Sequence, residues 1–497
     1  MLSKSSIASN ALWHTLSQVF SRGVRFLTIP IIVRLLDPEQ LGDVAITMAL
    51  TMFVATVFGN GGTIDTMVYY CKRTKHVFKS LLWFTIGVSA LLSASVFALS
   101  QPISVWINVP SAKVYLEVMS LFLPVVMLQS VFQAKLIEQQ AFAYIAKCQA
   151  SVSTVATLIA IALAFNGLGG WSLLIQHIFT TCALCGLFYR RVTVEKDEQF
   201  HSQTLKQILP YYYKSTLYNT IIWLGSESPL LIASKTVGSA GAGIYSAMSR
   251  AACMPMEILG RAFQLSFFSE LSAKRADEQL KQLQQQQLFW SIKCRFLALT
   301  TLYTLGALVA YPVVRLVLGE QYAIHSDAFF WLCIGFAVIS SAGEIVGFLQ
   351  GTGRINLVTI LSTVRCVLVM SCCYLMWSFS ASIEAVAQGF ALANSALLLV
   401  YLSTIFLVLK FSVKAYISHT LPLITVLFSA IGTTYLVDTL VPKFNPLVDI
   451  VVLSTAYLLS LAIAFILVLP NETGAIRRLL TTKVLNKLQK QTVREHG

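Results

Sequence analysis

Residues 447–470 read LVDIVVLSTAYLLSLAIAFILVLP, a run of 24 positions in which Asp449 is the one charged side chain. Lipid offers backbone N–H and C=O groups no water, so an apolar run of about 20 residues crosses a bilayer as a helix. Working outward from this run, thirteen more spans are predicted, at approximately 12–35, 41–62, 80–100, 114–134, 146–165, 168–189, 207–232, 237–262, 289–311, 326–350, 356–378, 383–409 and 415–437. No stretch between them is long enough to bury an aqueous core of its own. The expected fold class is an all-α polytopic membrane protein with fourteen transmembrane helices.

Composition agrees. The 497 residues are 56% hydrophobic and 12% charged, about half the charge of soluble domains, with mean hydropathy +0.72. The formal charge of +14 raises nucleic acid as a partner, but placing the N-terminus in the cytoplasm puts 25 of the 36 basic residues on the inside. Lys293 and Arg295 are counted among these. Five fall outside, Arg34, Lys113, Lys235, Arg315 and Lys443. That bias predicts an even number of spans with both termini inside, and it accounts for the basic balance without nucleic acid. The ten cysteines sit mostly in apolar runs, as Cys182, Cys185, Cys372 and Cys373 do, and read as small hydrophobes without a disulfide framework or metal pair. The polar start from Lys4 to Gln18 lacks the pattern of a removable signal peptide.

The predicted outside loops are short, with stops such as Asp37-Pro38-Glu39 and Val441-Pro442-Lys443. The longest inside connection, about 263–288, holds Gln282 and Gln284 to Gln287 and reads as a solvated or interfacial helix joining two bundles, or as a partner-binding arm. Leu41-Gly42-Asp43-Val44 aligns with Ala242-Gly243-Ile244-Tyr245 at an offset of 201 residues. Each copy follows the first helix of its half, six predicted helices precede the seventh, and both halves begin inside, which suggests parallel six-helix bundles facing each other across a cavity. The expected organisation is a first bundle over 1–200, a second over 201–412, and two additional helices with a basic tail over 413–497.

Six basic residues remain inside predicted spans: Arg22, Arg25, Lys214, Arg250, Arg261 and Arg365. Each costs about 2.5–3.5 kcal/mol at a helix centre, so each calls for a wet or paired location. His14, Gln18, Ser21, Arg22 and Arg25 recur at three- and four-residue steps and make one polar face. Arg22 and Arg25 repel unless an anion or carboxylate joins them, and the rigid guanidinium fork suits phosphate. Lys214, Arg250 and Arg365 are further candidates for a cavity that binds an anion, whereas Arg261 reads as snorkelling. Glu344 and Glu257 are open to two readings, relay of a coupling proton or Na+ and compensation of a nearby arginine.

The run Pro210-Tyr211-Tyr212-Tyr213-Lys214 reads as an interfacial aromatic belt or a sugar platform. Pro30, Pro124, Pro255 and the Gly59–Gly62 cluster are candidate bends. Phosphate-loop, HExxH, GxSxG and hydrated CxxC motifs do not occur, so the chain is expected not to be an enzyme and to need no cofactor beyond an ion. The segment from Gly347 to Arg354 reads as a helix end and its turn, since no strand precedes it.

At this point the chain resembles the polysaccharide-biosynthesis, or O-antigen, flippases of the multidrug/oligosaccharidyl-lipid/polysaccharide exporter superfamily. The resemblance is carried by Arg22 through Pro30 with Leu36-Asp37-Pro38-Glu39-Gln40-Leu41-Gly42, by Leu209-Pro210 through Gly243-Ile244-Tyr245-Ser246-Ala247 with Pro255, and by Gly319-Glu320-Gln321-Tyr322 through Gln350-Gly351-Thr352-Gly353-Arg354. It implies alternating access of a basic central cavity, fitting by position Arg22, Arg25, Lys214 and Arg250. The implied cargo is a polyprenyl-diphosphate-linked oligosaccharide crossing the bacterial inner membrane, with membrane lipids and a polysaccharide polymerase complex as partners. Two rivals stand beside it: a cation-coupled multidrug antiporter, which favours an acidic or aromatic cavity, and a non-transporting scaffold of a polymer synthase.

Overall fold

The computed structural model describes residues 30–71, 74–194, 197–260, 280–352, 354–440 and 445–468. Among the described residues the regular structure is all helix, which satisfies the backbone within each segment as lipid requires. Residues 30–35 are helical, and Pro38 then opens α1, which continues to Tyr70. After it come α2 (Val77–Trp106), α3 (Ala112–Glu138), α4 (Phe142–Phe165), α5 (Trp171–Arg191), α6 (Ser202–Val237) and α7 (Ser239–Pro255). α8 runs through Leu280–Arg295, a π-helical turn at Phe296–Thr300 and Thr301–Leu308. It bends by 82° into α9 (Ala310–Val317). The rest are α10 (Glu320–Ala323), α11 (Ser326–Gly351), α12 (Ile355–Ser380), α13 (Ile383–Ser403), α14 (Val413–Leu440) and α15 (Pro446–Val468).

Ten helices among the described residues are long and apolar enough to cross a bilayer, or eleven if the bent pair is one span. The difference from the expected fourteen lies in three places. Most of the predicted span 12–35 is outside the described residues. α6 is more polar, with Lys206, Lys214, Glu227 and Lys235 along it, and α7 has only 17 residues. Pro210 and Pro229 lie inside α6 without ending it, because in a membrane neighbouring helices re-satisfy the backbone groups that proline frees.

In the first part of the chain α3 packs on α1, α2 and α5, and α5 packs on α4. Later, α11 packs on α7, α8 and α13, and α13 packs on α12. α14 and α15 pair with each other and lean on α8 and α9, where Tyr457 Oη and Thr304 Oγ1 lie 2.5 Å apart. The two sets meet along α1 and α7, the seam of a buried apolar cluster that includes Leu41, Ala45, Ile46, Ala49, Tyr245, Met248 and Ala252.

At the end of the seam that the charge bias assigns to the outside, the backbones touch. A Cβ on Gly42 would overlap the Ser239 carbonyl and lie 2.9 Å from the Gly243 nitrogen. A Cβ on Gly243 would overlap the Pro38 carbonyl and lie 2.9 Å from the Gly42 nitrogen. Both the glycines and the residues whose carbonyls face them, Pro38 and Ser239, are 201 residues apart, so the crossing is reciprocal. Small residues four apart, with only the glycine hydrogens between the chains, permit such an approach where lipid supplies no hydrophobic drive.

Candidate functional site

Away from that crossing, both seam helices widen into π-helical turns, α1 at Ala55–Ile64 and α7 at Met256–Gly260, with starts again 201 residues apart. Such turns break the regular ladder and re-aim the side chains beyond them. In α7 the Met256 N–H is taken up from outside the helix, donating to Tyr303 Oη at 2.9 Å.

α6 runs along α1 through small residues. Asn219 fills the space beside Gly61, and the Tyr212 ring lies over Gly62. Trp223 Nε1 donates to the Ala49 carbonyl at 3.2 Å, and Ser215 Oγ donates to Asp65 Oδ2 at 2.7 Å. Tyr211 stacks on Tyr69 at 4.5 Å between ring centroids, Tyr212 is buried, and Tyr213 is exposed. The three adjacent tyrosines thus have three different surroundings. On its other side α6 meets α12, where Gly225 faces the Cys366 backbone.

The charged candidates are set along this frame. Arg250 reaches the surface of α7 and lies within electrostatic reach of Glu227 on α6. Cys253 Sγ contacts Glu257 Oε1 at 3.8 Å, and positions 250, 253 and 257 recur at three- and four-residue steps, hence on one face. Arg365 of α12 lies near Tyr401, which Tyr218 of α6 also approaches. Its Nε is buried without a hydrogen-bond partner. Lys214 is exposed and stands one turn before Tyr218, on the same face of α6. Lys214 and Glu227 are 13 residues apart, about 20 Å along the helix axis, so these two charges stand at different depths of α6. Arg22, Arg25 and Arg261 lie outside the described residues.

Glu344 is elsewhere, inside the second set of helices. It is wholly buried and accepts from Arg295 Nη1 at 2.8 Å and from Ser291 Oγ at 3.0 Å. Gly343 makes room for the guanidinium, since a Cβ there would lie 2.8 Å from Arg295 Cζ. Arg295 Nη2 also contacts Met256 Sδ at 3.4 Å, in the π-helical turn of α7. Arg295, counted with the cytoplasmic charge in the sequence, is corrected to a core position with 2% exposure. Its place in the predicted span 289–311 already argued for that.

Two acidic residues outside the predicted candidates also lie within spans: Glu227, in 207–232, and Asp43, which is buried and accepts from Ser111 Oγ at 2.6 Å. A tally of every acidic residue inside a span finds both. Among the described residues, no group of three or more His, Cys, Asp and Glu side chains is placed to hold a metal ion.

Compared with known proteins, residues 31–327 match the family described as "Polysaccharide biosynthesis protein". The succinoglycan biosynthesis transport protein ExoT of Rhizobium meliloti (strain 1021) is 23% identical over 350 residues, 70% of each chain. An uncharacterized membrane protein in the cps region of Klebsiella pneumoniae is 21% identical over 497 residues, 94% of this chain and 97% of the relative. Among solved structures, the lipid II flippase MurJ in an inward closed conformation superposes with a TM-score of 0.73 at 14% identity, covering 91% of this chain and 99% of that one. An inward-facing multidrug resistance MATE family transporter of the MOP superfamily gives 0.63 at 16% identity, covering 80% and 95%. At such identities the likeness is one of fold.

Proposed function

The chain belongs to the polysaccharide biosynthesis protein family, and from that premise we propose that it is a flippase carrying polyprenyl-diphosphate-linked oligosaccharides across the bacterial inner membrane by alternating access. The carrying observation is the reciprocal crossing of Gly42 and Gly243. Two halves that touch backbone to backbone at one end, about an axis relating residues 201 apart, have a natural pivot there. ExoT, by its name a succinoglycan biosynthesis transport protein, and MurJ, a lipid II flippase, point to the same class of cargo.

On this reading the halves are 1–200 and 201–412, with 413–497 added at the edge. The equivalent packing of α3 on α1, α2 and α5 and of α11 on α7, α8 and α13 supports the repeat. The segment 12–35, α6 and α7 complete fourteen spans, with both termini cytoplasmic. From Tyr212 to Trp223 α6 packs against α1 of the first half, which makes α6 the link between the two.

The sugars and diphosphate cannot enter hydrocarbon without severe desolvation, whereas the polyprenyl tail favours it. A polar path open sideways to lipid shelters the headgroup and leaves the tail outside. Arg22, Arg25, Lys214, Arg250 and Arg365 supply cations along that path. Glu227 beside Arg250 keeps anion binding moderate enough for release. The ion pair of Glu344 with Arg295 favours its reading as charge compensation, and Glu257 and Glu227 are the further places where a coupling proton or Na+ would act. The test is reconstitution into vesicles with a defined lipid-diphosphate oligosaccharide, scoring its arrival on the far leaflet with a lectin. The intact chain transports, and a well-folded Arg22→Ala/Arg25→Ala variant does not. A variant as fast as the parent removes the basic path from the account, and transport of cationic dyes in its place would make the chain an antiporter.

A further inference from the structure

At the Gly42–Gly243 end, two basic side chains cross between the halves. Arg34 Nη2, from the helical residues 30–35, donates to the carbonyl of Leu316 in the last turn of α9. Lys235 Nζ, from the last turn of α6, donates to the carbonyl of Trp106, the final residue of α2, and lies 4.9 Å from the centroid of its ring. Arg34 and Lys235 are 201 residues apart, the offset of the two glycines. Each stands on the helix that precedes a seam helix. Each caps a helix ending in the other half, where the last carbonyls lack intrahelical donors and the macrodipole favours a cation.

From this geometry we infer that Arg34 and Lys235 form a two-fold-related latch that closes the outer face of the transporter and releases when that face opens. The inference rests on the alternating-access reading proposed above. Four features support it. The bonds are reciprocal, so one rocking motion breaks both together. Arg34 and Lys235 each precede the crossing residues in the chain, on the outer side of the pivot, so a rotation that closes the inner end parts both bonds. Both cations are exposed, so released side chains re-solvate in water and the latch is reversible. Lastly, the acceptors are backbone carbonyls, which hold no counter-charge that an incoming anionic headgroup would displace.

Spin labels carried on a ketone-bearing amino acid, placed at Lys113 and Ile324 on the outer face and at Arg190 and Arg354 on the opposite face, report both ends and avoid the ten native cysteines. Each cation at a helix C-terminus contributes modestly, so Arg34→Ala/Lys235→Ala is expected to raise the outward-open population by about three- to thirtyfold. The 113–324 distance then lengthens as the 190–354 distance shortens. Added salt shifts the parent the same way and leaves the double variant unmoved, whereas Arg34→Lys/Lys235→Arg keeps the parent distribution. If the parent exchanges between two sets of distances and the double variant has the parent's populations, the latch is overturned and alternating access stands. If parent and double variant share one unchanging set of distances with and without lipid-diphosphate oligosaccharide, both fall.

Discussion

Gly42 and Gly243 lie against each other at the crossing of α1 and α7, each glycine leaving space that the other half's backbone fills. The neighbours are carbonyl and amide atoms, which cannot swing aside as a side chain does. Gly42→Val or Gly243→Val therefore forces the halves apart. Overpacking of this kind costs about 1–3 kcal/mol, and the lost pivot removes transport. Gly87→Val serves as control, since a Cβ there meets nothing within 4 Å. The check is thermal unfolding in detergent beside the flipping rate: the two seam variants lose both, and the control keeps both. A seam variant with parental transport would contradict the pivot.

Removing one partner of the Arg295–Glu344 pair leaves a charge in the core, at a cost of about 3–5 kcal/mol. Glu344→Gln is thus expected to unfold well below the parent temperature. Replacing both, with Arg295→Met and Glu344→Leu, restores most of that stability because neither charge is then stranded. Transport by the stable double variant shows that Glu344 compensates a charge. Loss of transport at restored stability would make it a coupling residue.

Arg250 and Glu227 separate in a substrate titration. Arg250→Ala removes a charge-assisted contact of about 1.5–3 kcal/mol, which lowers transport efficiency roughly ten- to hundredfold. Arg250→Lys recovers part, since the charge returns without the fork. Glu227→Gln frees Arg250 to hold the anion harder, so both the half-saturating substrate concentration and the maximal rate fall. A raised half-saturating concentration in Glu227→Gln would contradict the moderating role.

α15 is joined to α8 by Tyr457 and Thr304, whose hydroxyl oxygens are 2.5 Å apart in the core. Tyr457→Phe is expected to cost about 1 kcal/mol while transport stays parental, as measured by denaturation in detergent and the vesicle assay. A strong transport defect at near-parental stability would give α15 a part in the path.

Where a feature is periodic or apolar, it is legible in the chain. The helices announce themselves by length and hydropathy, and the Gly42–Gly243 relation by a repeated glycine at a fixed offset. What α6 does was harder to read. Its charges and two prolines suggest breaks, yet it continues for 36 residues because α1 on one side and α12 on the other satisfy it. Arg295 was misplaced because a charge tally by loops cannot see a carboxylate brought beside it by another helix. Glu227 and Asp43 are single acidic positions in otherwise apolar or mixed spans, with no periodic pattern to set them apart. The latch residues Arg34 and Lys235 read as ordinary outside charges until the opposite half's helix ends are set next to them. Of the five basic candidates for the path, Lys214, Arg250 and Arg365 are described, while Arg22 and Arg25 lie outside the described residues.

A path that carries an anionic lipid headgroup past fixed cations must distinguish a charged cargo from a neutral one. Flipping rates in vesicles are compared for a polyprenyl-diphosphate oligosaccharide and for the same lipid and sugars joined by a neutral linkage, with the intact chain and with Arg250→Ala/Arg365→Ala. The diphosphate lipid is expected to flip at least tenfold faster than the neutral one through the intact chain, and that preference disappears in the double variant. Equal rates for the two lipids through the intact chain, or an undiminished preference in the double variant, would contradict such a path.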